Sequence, residues 1–151
     1  MKKLSVRKIA QLVLVVLSLM IAGCGSSFSG PELSATEAFT KAQQGELTIV
    51  DVRTPAEWRR TGVPVGALEI NMIQPGGLGQ FVERVLAEVG GDKSAPVALI
   101  CRTGNRSGQM QQVLLDAGFT DVYNIREGMI GSSAGPGWAK RDLPIRQCTE
   151  C

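Results

Sequence analysis

The sequence predicts an α/β domain in which a mainly parallel sheet is flanked by helices on both faces. Short apolar runs rich in β-branched residues alternate with segments whose apolar residues recur at helical spacing. Glycine and proline separate the two kinds of segment. After a predicted leader, roughly 128 of the 151 residues remain, which suits one domain with a single core. We therefore expect one sheet, with any ligand site at the carboxyl ends of its strands.

The chain begins with a segment, residues 1–23, that has the composition of an export signal. Four basic residues precede an apolar core at 12–21, which is too short for a comfortable membrane span. The residues Ile21-Ala22-Gly23-Cys24 then resemble the lipobox of bacterial lipoproteins. This resemblance implies cleavage before Cys24 and a lipid on its sulfur. The alternatives are a plain secretory signal or an uncleaved anchor helix.

The residues after this cysteine indicate where the chain is held. Gly25 stands where an aspartate would favour retention, so we expect delivery to the outer membrane, facing the periplasm of a bacterial cell envelope. Acyl chains would supply the membrane anchor. Residues 24–32 include Gly-Ser-Ser-Phe-Ser-Gly and are predicted to be a flexible tether to a domain at 33–146.

Helices and strands alternate through the predicted domain. Ser34 and Glu37 have the spacing of a capping box and start a helix that ends near Gly45. A second helical turn begins at Thr54 and Pro55 and continues to residue 59. The other predicted helices are 78–89 and 109–118. The predicted strands are 47–52, 67–70, 97–100 and 121–125.

A cysteine stands at a predicted strand-to-helix turn. Cys101 follows the strand at 97–100, and the helix after it begins within the next few residues. The first N–H groups of a helix have no partners inside the helix, so they bind anions and stabilise a thiolate. Arg102 and Arg106 add positive charge, and Gly104 lets the backbone curl inward. We predict that Cys101 is a nucleophile; the alternative is a buried cysteine that only packs.

Composition excludes several other kinds of site. The chain has no histidine, which excludes Ser-His-Asp and Cys-His catalysis and any imidazole metal site. We expect no metal and no cofactor. The leader carries four of the 16 basic residues and none of the 14 acidic ones, so the mature chain is slightly acidic. It has no basic patch, and we expect no nucleic-acid partner.

Three separated features, in order along the chain, resemble those of one known family. They are a strand at 50–53 with an acidic-aromatic pair at 57–58, the cysteine loop at 101–107, and a closing segment at 127–129, 137–138 and 143–145. Together they look like the rhodanese (sulfurtransferase) family over 33–146. The resemblance implies a rhodanese-like domain with nearly the whole mature chain inside it.

The same resemblance implies a reaction and a set of site residues. Cys101 would take a sulfane sulfur from an anionic donor such as thiosulfate, form a persulfide, and pass the sulfur to a thiol or to cyanide. The implied substrate-binding residues are Arg102, Thr103, Gly104, Asn105, Arg106 and Ser107. Positive charge and aligned N–H groups would offset the repulsion between the thiolate and an anionic donor.

Residues around this loop have lesser expected roles. We expect Asp51 and Arg53 to form a structural ion pair or to brace the loop. We expect Glu57 and Trp58 to contribute to packing and to the protein surface, with little role in function. The chain departs from the family at 61–67, which lacks a histidine and is longer. It also departs at 130–137, a longer glycine-rich loop that either borders the site or is a surface insertion.

Two other functions fit parts of the sequence. Phosphatases with a thiolate nucleophile place an arginine six positions after the cysteine, but Ser107 stands there and Arg106 comes one position earlier. A lipid-tethered binding module without activity is the second alternative. The basic loop around Cys101 argues against it.

The last five residues, 147–151, contain the pair Cys148 and Cys151. Outside the cytoplasm a disulfide is the default state of such a pair, so we expect a terminal disulfide or an unstructured tail. A sharper hypothesis makes it a redox pair that accepts sulfur from Cys101 or reduces it, with a thiol-redox protein as a possible partner. A closed zinc site would need further ligands that the sequence does not reveal.

Overall fold

The structure of the protein is a computed structural model that describes residues 30–151. The predicted leader, Cys24 and residues 25–29 of the predicted tether lie outside the described residues. Within residues 30–151, every helix falls short of the length and apolar character that a membrane span requires.

A five-stranded parallel sheet forms the centre of the domain, as predicted. Its strands stand in the order β1-β6-β5-β2-β4. Their bounds are β1 Glu32–Leu33, β2 Thr48–Asp51, β4 Leu68–Glu69, β5 Val97–Ile100 and β6 Val122–Ile125. A small antiparallel pair, β3 Val63–Pro64 with β7 Ile145–Arg146, lies apart from this sheet. Parallel strands place their carboxyl ends at one edge, which is where the cysteine loop emerges.

Four α-helices connect the strands: α1 Ala35–Gln43, α2 Pro55–Thr61, α3 Gly77–Glu88 and α4 Asn105–Asp116. A 3₁₀ turn follows at Ala139–Arg141. The predicted capping box between Ser34 and Glu37 starts α1. Thr54 and Glu57 form a second capping box that starts α2, with proline at its first turn. Polar side chains therefore fix where these two helices begin.

Hydrophobic cores cover both faces of the sheet, because successive side chains of a strand point to opposite faces. Ala98 and Ile100 pack with α1 and α2. Leu99 and Cys101 pack on the other face with α3 and α4. The prediction of helices on both faces is confirmed, and Cys101 belongs to the α3 and α4 side.

Short elements account for the differences from the predicted organisation. Residue 32 was assigned to the tether but lies in β1, where Pro31 accepts a hydrogen bond from the Asn124 N–H. Gly30 is also packed closely against Gln111. The tether prediction is therefore wrong for residues 31 and 32, because backbone pairing with β6 holds them on the domain. The pair β3 and β7 was not predicted, since two-residue strands carry no periodicity.

Candidate active site

Cys101 directly follows β5 at the carboxyl edge of the sheet, as predicted. Its side chain is only 1% exposed, and α4 begins four residues later at Asn105. Gly104 caps this helix with a left-handed backbone, φ 86°. A Cβ there would lie 2.1 Å from the Arg126 carbonyl oxygen, so glycine is required on two grounds. The loop can turn this tightly only with that residue.

Two groups of the loop contact the Cys101 sulfur. The Gly104 N–H donates to Sγ at 3.2 Å, and Ser107 Oγ lies 3.3 Å from Sγ. The same Ser107 hydroxyl donates to Asn124 Oδ1 at 2.7 Å. A donor aimed at sulfur favours the negatively charged thiolate. The structure thus brings Gly104 and Ser107, both predicted site residues, to the nucleophile.

Asn124 ties this loop to the sheet. It is fully buried in β6, accepts from Ser107, and donates from Nδ2 to the Gly104 carbonyl oxygen at 3.0 Å. It therefore fixes both residues that contact the sulfur. The sequence prediction missed it, although an asparagine within an otherwise apolar strand was a signal.

Backbone of the closing segment holds the loop from its other side. The Met129 N–H donates to the Cys101 carbonyl at 2.9 Å, and the Ile130 N–H donates to the Arg102 carbonyl at 3.1 Å. Gly128 permits this approach, because a Cβ there would lie 2.5 Å from the Arg102 oxygen. The predicted closing segment and the predicted loop are therefore in direct contact.

Glu127 anchors that closing segment. Its buried carboxylate accepts from Arg141 Nε at 2.7 Å, from the Gly137 N–H at 2.9 Å and from the Ala35 N–H at 3.2 Å. Burial opposes the charged form, but these hydrogen bonds hold the pKa of Glu127 below its ordinary value. The segment is thereby tied to α1 and to the 3₁₀ turn.

Arg106 is engaged by Glu57 of α2. Its guanidinium donates to the two carboxylate oxygens at 2.7 and 2.6 Å. This bidentate pairing is the largest cause that lowers the pKa of Glu57, which falls to about 2 with the help of hydrogen bonds from Thr54. The expectation that Glu57 serves only packing and surface is wrong, because the fold brings it to a loop residue 49 positions away. Trp58 is a core residue, as expected.

Asp51 and Arg53 form the expected structural ion pair. Both are at most 1% exposed, and Arg53 Nη2 lies 2.6 Å from Asp51 Oδ2. Arg53 also donates to Thr61 Oγ1 and to the Gly62 carbonyl oxygen, each at 2.7 Å. The pair therefore joins the end of β2 to the end of α2.

A cavity of about 260 Å³ lies between α2 and the cysteine loop. It is lined by Arg53, Glu57, Arg60, Thr61, Arg102 and Ile130. Among residues 30–151, neither Arg60 nor Arg102 has an ion-pair partner. The cavity therefore offers two uncompensated positive charges beside the loop. It suits a small anion.

The remaining predicted site residues stand further from the sulfur. Thr103 is half-buried, and Asn105 is exposed and accepts from Arg126 Nη1 at 3.0 Å. Of the predicted insertion at 130–137, Ile130 borders the cavity and residues 133, 134 and 136 are exposed. The insertion therefore borders the site at Ile130 and also forms part of the surface, so both expectations hold for parts of it.

Cys148 and Cys151 form a disulfide, the first of the states expected for the tail. Cys148 packs in the core on the α1 and α2 side of the sheet, whereas Cys101 packs on the opposite side. Its neighbour is Glu69 of β4, a strand that β2 separates from β5. Two strand spacings amount to about 10 Å. The structure does not bring the pair to the nucleophile.

Comparison with known proteins agrees with this geometry. The family model described as Rhodanese-like domain matches residues 34–133. A sulfurtransferase of Allochromatium vinosum is 32% identical over 104 residues, covering 69% of this chain and 82% of that protein. The chloroplast thiosulfate sulfurtransferase 16 of Arabidopsis thaliana is 33% identical over 102 residues, covering 64% and 78%.

Solved structures resemble the same part of the chain. The polysulfide-sulfur transferase homodimer from Wolinella succinogenes superposes with a TM-score of 0.60 at 27% identity, covering 80% of each chain. The matched family model spans strands β2, β4, β5 and β6 of the parallel sheet and the cysteine loop. The chain therefore belongs to the rhodanese-like domain family.

Proposed function

We propose that the protein is a sulfurtransferase that moves a sulfane sulfur from an anionic donor to a thiophilic acceptor through a persulfide on Cys101. The observation that carries the proposal is the surroundings of Sγ, which receives the Gly104 N–H at the start of a helix and lies beside Ser107. Relatives named as sulfurtransferases support the same reaction class.

The proposed reaction has two displacements at sulfur. The Cys101 thiolate attacks the outer sulfur of thiosulfate, a new S–S bond forms, and the old S–S bond breaks as sulfite leaves with its electron pair. The outer sulfur of the resulting persulfide is then attacked by cyanide or a thiolate. Thiocyanate or a new persulfide departs, and the Cys101 thiolate is restored.

Charge around the loop suits an anionic donor. Arg60 and Arg102 line the adjoining cavity without an ion-pair partner in the described part of the chain, so they would offset donor charge. Arg106 has a different role, because Glu57 already neutralises it. Its contribution is to hold the loop against α2.

We also propose that the enzyme works at the bacterial cell envelope, tethered by a lipid on Cys24. This proposal is supported by the lipobox-like sequence alone, which lies outside the described residues. The donor and acceptor would then be small sulfur compounds or a thiol-redox protein. The idea that the dithiol of Cys148 and Cys151 accepts the sulfur stays a prediction.

The test is thiocyanate formation from thiosulfate and cyanide by the full chain in detergent, carrying Cys24→Ser so that no lipid is added. We expect turnover that Cys101→Ala abolishes and that Cys148→Ser, a matched loss of one thiol, leaves within about twofold. No hydrolysis of an aryl phosphate is expected. Absence of thiocyanate from the folded, reduced chain would favour the binding module instead.

A further inference from the structure

The disulfide at the end of the described chain has a carboxylate beside it. Cys148 Sγ lies 3.7 and 3.8 Å from the two oxygens of Glu69, a residue 79 positions earlier. One ligand atom from each of Glu69, Cys148 and Cys151 lies within 4.8 Å of the others. We propose that reduction of the disulfide turns these residues into a binding site for a thiophilic divalent cation of the zinc class. The proposal is independent of sulfur transfer at Cys101.

The distances match a tetrahedral zinc site. Zinc binds thiolate sulfur at about 2.3 Å and carboxylate oxygen at about 2.1 Å, which places sulfur and oxygen about 3.6 Å apart. Glu69 already stands at that distance from Cys148. Only the two sulfurs must separate, to about 3.8 Å, and the two-residue spacing between the cysteines is one that zinc sites use.

The protein holds two of the three ligands in place without help from the disulfide. Glu69 ends β4, in register with Asp51 of β2. Cys148 is 8% exposed and packs in a hydrophobic core. The chain before it is fixed because β7 pairs with β3. Cys151 is partly buried against the same core, so reduction would let its sulfur move while the ligands meet a cation with little reorganisation.

Charge and access also suit a cation. Two thiolates and a carboxylate around a divalent ion leave one excess negative charge. The Arg146 guanidinium, which pairs with Glu69, would compensate that charge and orient the carboxylate. Arg59 binds the Cys151 carbonyl. A cavity of about 280 Å³, lined by residue 69 and residues 146–151, leaves one side open for water as a fourth ligand.

Binding would depend on redox state. An external dithiol supplies two electrons to Cys148 and Cys151 and is itself oxidised to a disulfide. The cation then displaces one proton from each thiol, and both protons go to solvent. A bound cation would in turn keep the sulfurs apart and resist their oxidation.

The test is titration of the reduced full chain, carrying Cys24→Ser, with Cd²⁺ in the absence of oxygen. The probe reports through the ultraviolet charge-transfer absorption of cadmium–thiolate bonds. We expect one Cd²⁺ per chain, none bound by the disulfide form, and unchanged binding by Cys101→Ser. Zn²⁺ should displace the probe and raise the Tm of the reduced chain.

Matched variants separate the carboxylate from the ion pair it makes. Glu69→Gln should weaken binding by at least about tenfold, since loss even of an outer-shell partner has that effect. Arg146→Gln loses the same ion pair but keeps the carboxylate ligand, so it should weaken binding of the probe less than Glu69→Gln does. The proposal is overturned if Glu69→Gln binds as the parent does, if Cys148→Ser keeps the signal, or if the reduced chain binds no Cd²⁺.

Discussion

Replacing Glu57 by glutamine tests whether α2 holds the cysteine loop through Arg106. Glutamine keeps the length of the side chain and its capping position on α2, but it removes the charge that accepts both guanidinium hydrogen bonds. Because Arg106 lies in the first turn of α4, directly after the loop, and Glu57 lies in α2, their contact joins two helices that the sheet order brings together. The substitution should therefore destabilise the domain.

The magnitude follows from the pKa of Glu57, which Arg106, with a smaller contribution from hydrogen bonds of Thr54, lowers from 4.5 to about 2. A shift of that size corresponds to about 3 kcal/mol of preference for the charged form in the folded state. The Arg106 side chain is 32% exposed, so solvent screening reduces the expected loss to about 1–2 kcal/mol. Glu57→Gln should lower the urea midpoint accordingly near neutral pH.

The lowered pKa of Glu57 also determines how the stability difference between parent and Glu57→Gln changes with pH. A carboxyl group whose pKa is lowered by folding contributes stability above its unfolded pKa and loses it as the pH falls through the folded value. The difference between parent and Glu57→Gln should therefore be full near neutral pH and shrink between about pH 5 and pH 2. Glu37→Gln is the matched control, since Glu37 holds the same capping-box position on α1 without an arginine partner. Equal stability of Glu57→Gln and parent near neutral pH, or a difference that persists in acid, would refute the reasoning.

Three further substitutions have defined outcomes. Asp51→Asn leaves the buried Arg53 guanidinium without its counterion and should cost about 3–5 kcal/mol in urea unfolding; a loss below about 1 kcal/mol would contradict this. Gly104→Ala, which meets a carbonyl oxygen at 2.1 Å, should lower the Tm and abolish thiocyanate formation, whereas Gly79→Ala, with open space around it, should do neither. Ser107→Ala removes a hydroxyl 3.3 Å from the nucleophilic sulfur and should slow sulfur loading by about 10- to 100-fold in single-turnover kinetics; an unchanged rate would exclude the hydroxyl from the reaction.

The sequence predicted those parts of the fold that local patterns determine. The strand at 97–100 is found at the predicted residues because it is apolar throughout and buried on both sides. The capping box of Ser34 and Glu37 predicted the start of α1, and Pro55 after Thr54 predicted the start of α2, because both signals are made by residues within one helical turn. The alternation of elements was enough to predict the parallel sheet.

Local sequence patterns could not predict contacts between residues that are far apart along the chain. Glu57 meets Arg106 because the sheet places β2 and β5, which lead into their helices, side by side. Glu69 meets Cys148 because the pairing of β7 with β3 fixes the chain just before Cys148. Asn124 acts in the same way, because its role depends on β6 lying next to β5. Residue type alone indicated that these groups were polar. It did not indicate their partners.

The strength of the local signal also differed between the two cysteine motifs. The loop after Cys101 carries glycine, arginines and a helix start within a few residues, so its position could be predicted closely. The pair at Cys148 and Cys151 lacks any such context along the chain. Its neighbours come from β4 and α2, which precede it by many residues.

The measurement that tests sulfur transfer most directly is the intact mass of the reduced full chain, carrying Cys24→Ser, after incubation with thiosulfate. We predict a gain of one sulfur atom that peptide mapping places on Cys101 and that cyanide removes as thiocyanate. Cys101→Ala should gain nothing, and Cys148→Ser should gain one sulfur as the parent does. A folded parent that gains no sulfur, or a gain that persists in Cys101→Ala, would contradict the proposed function.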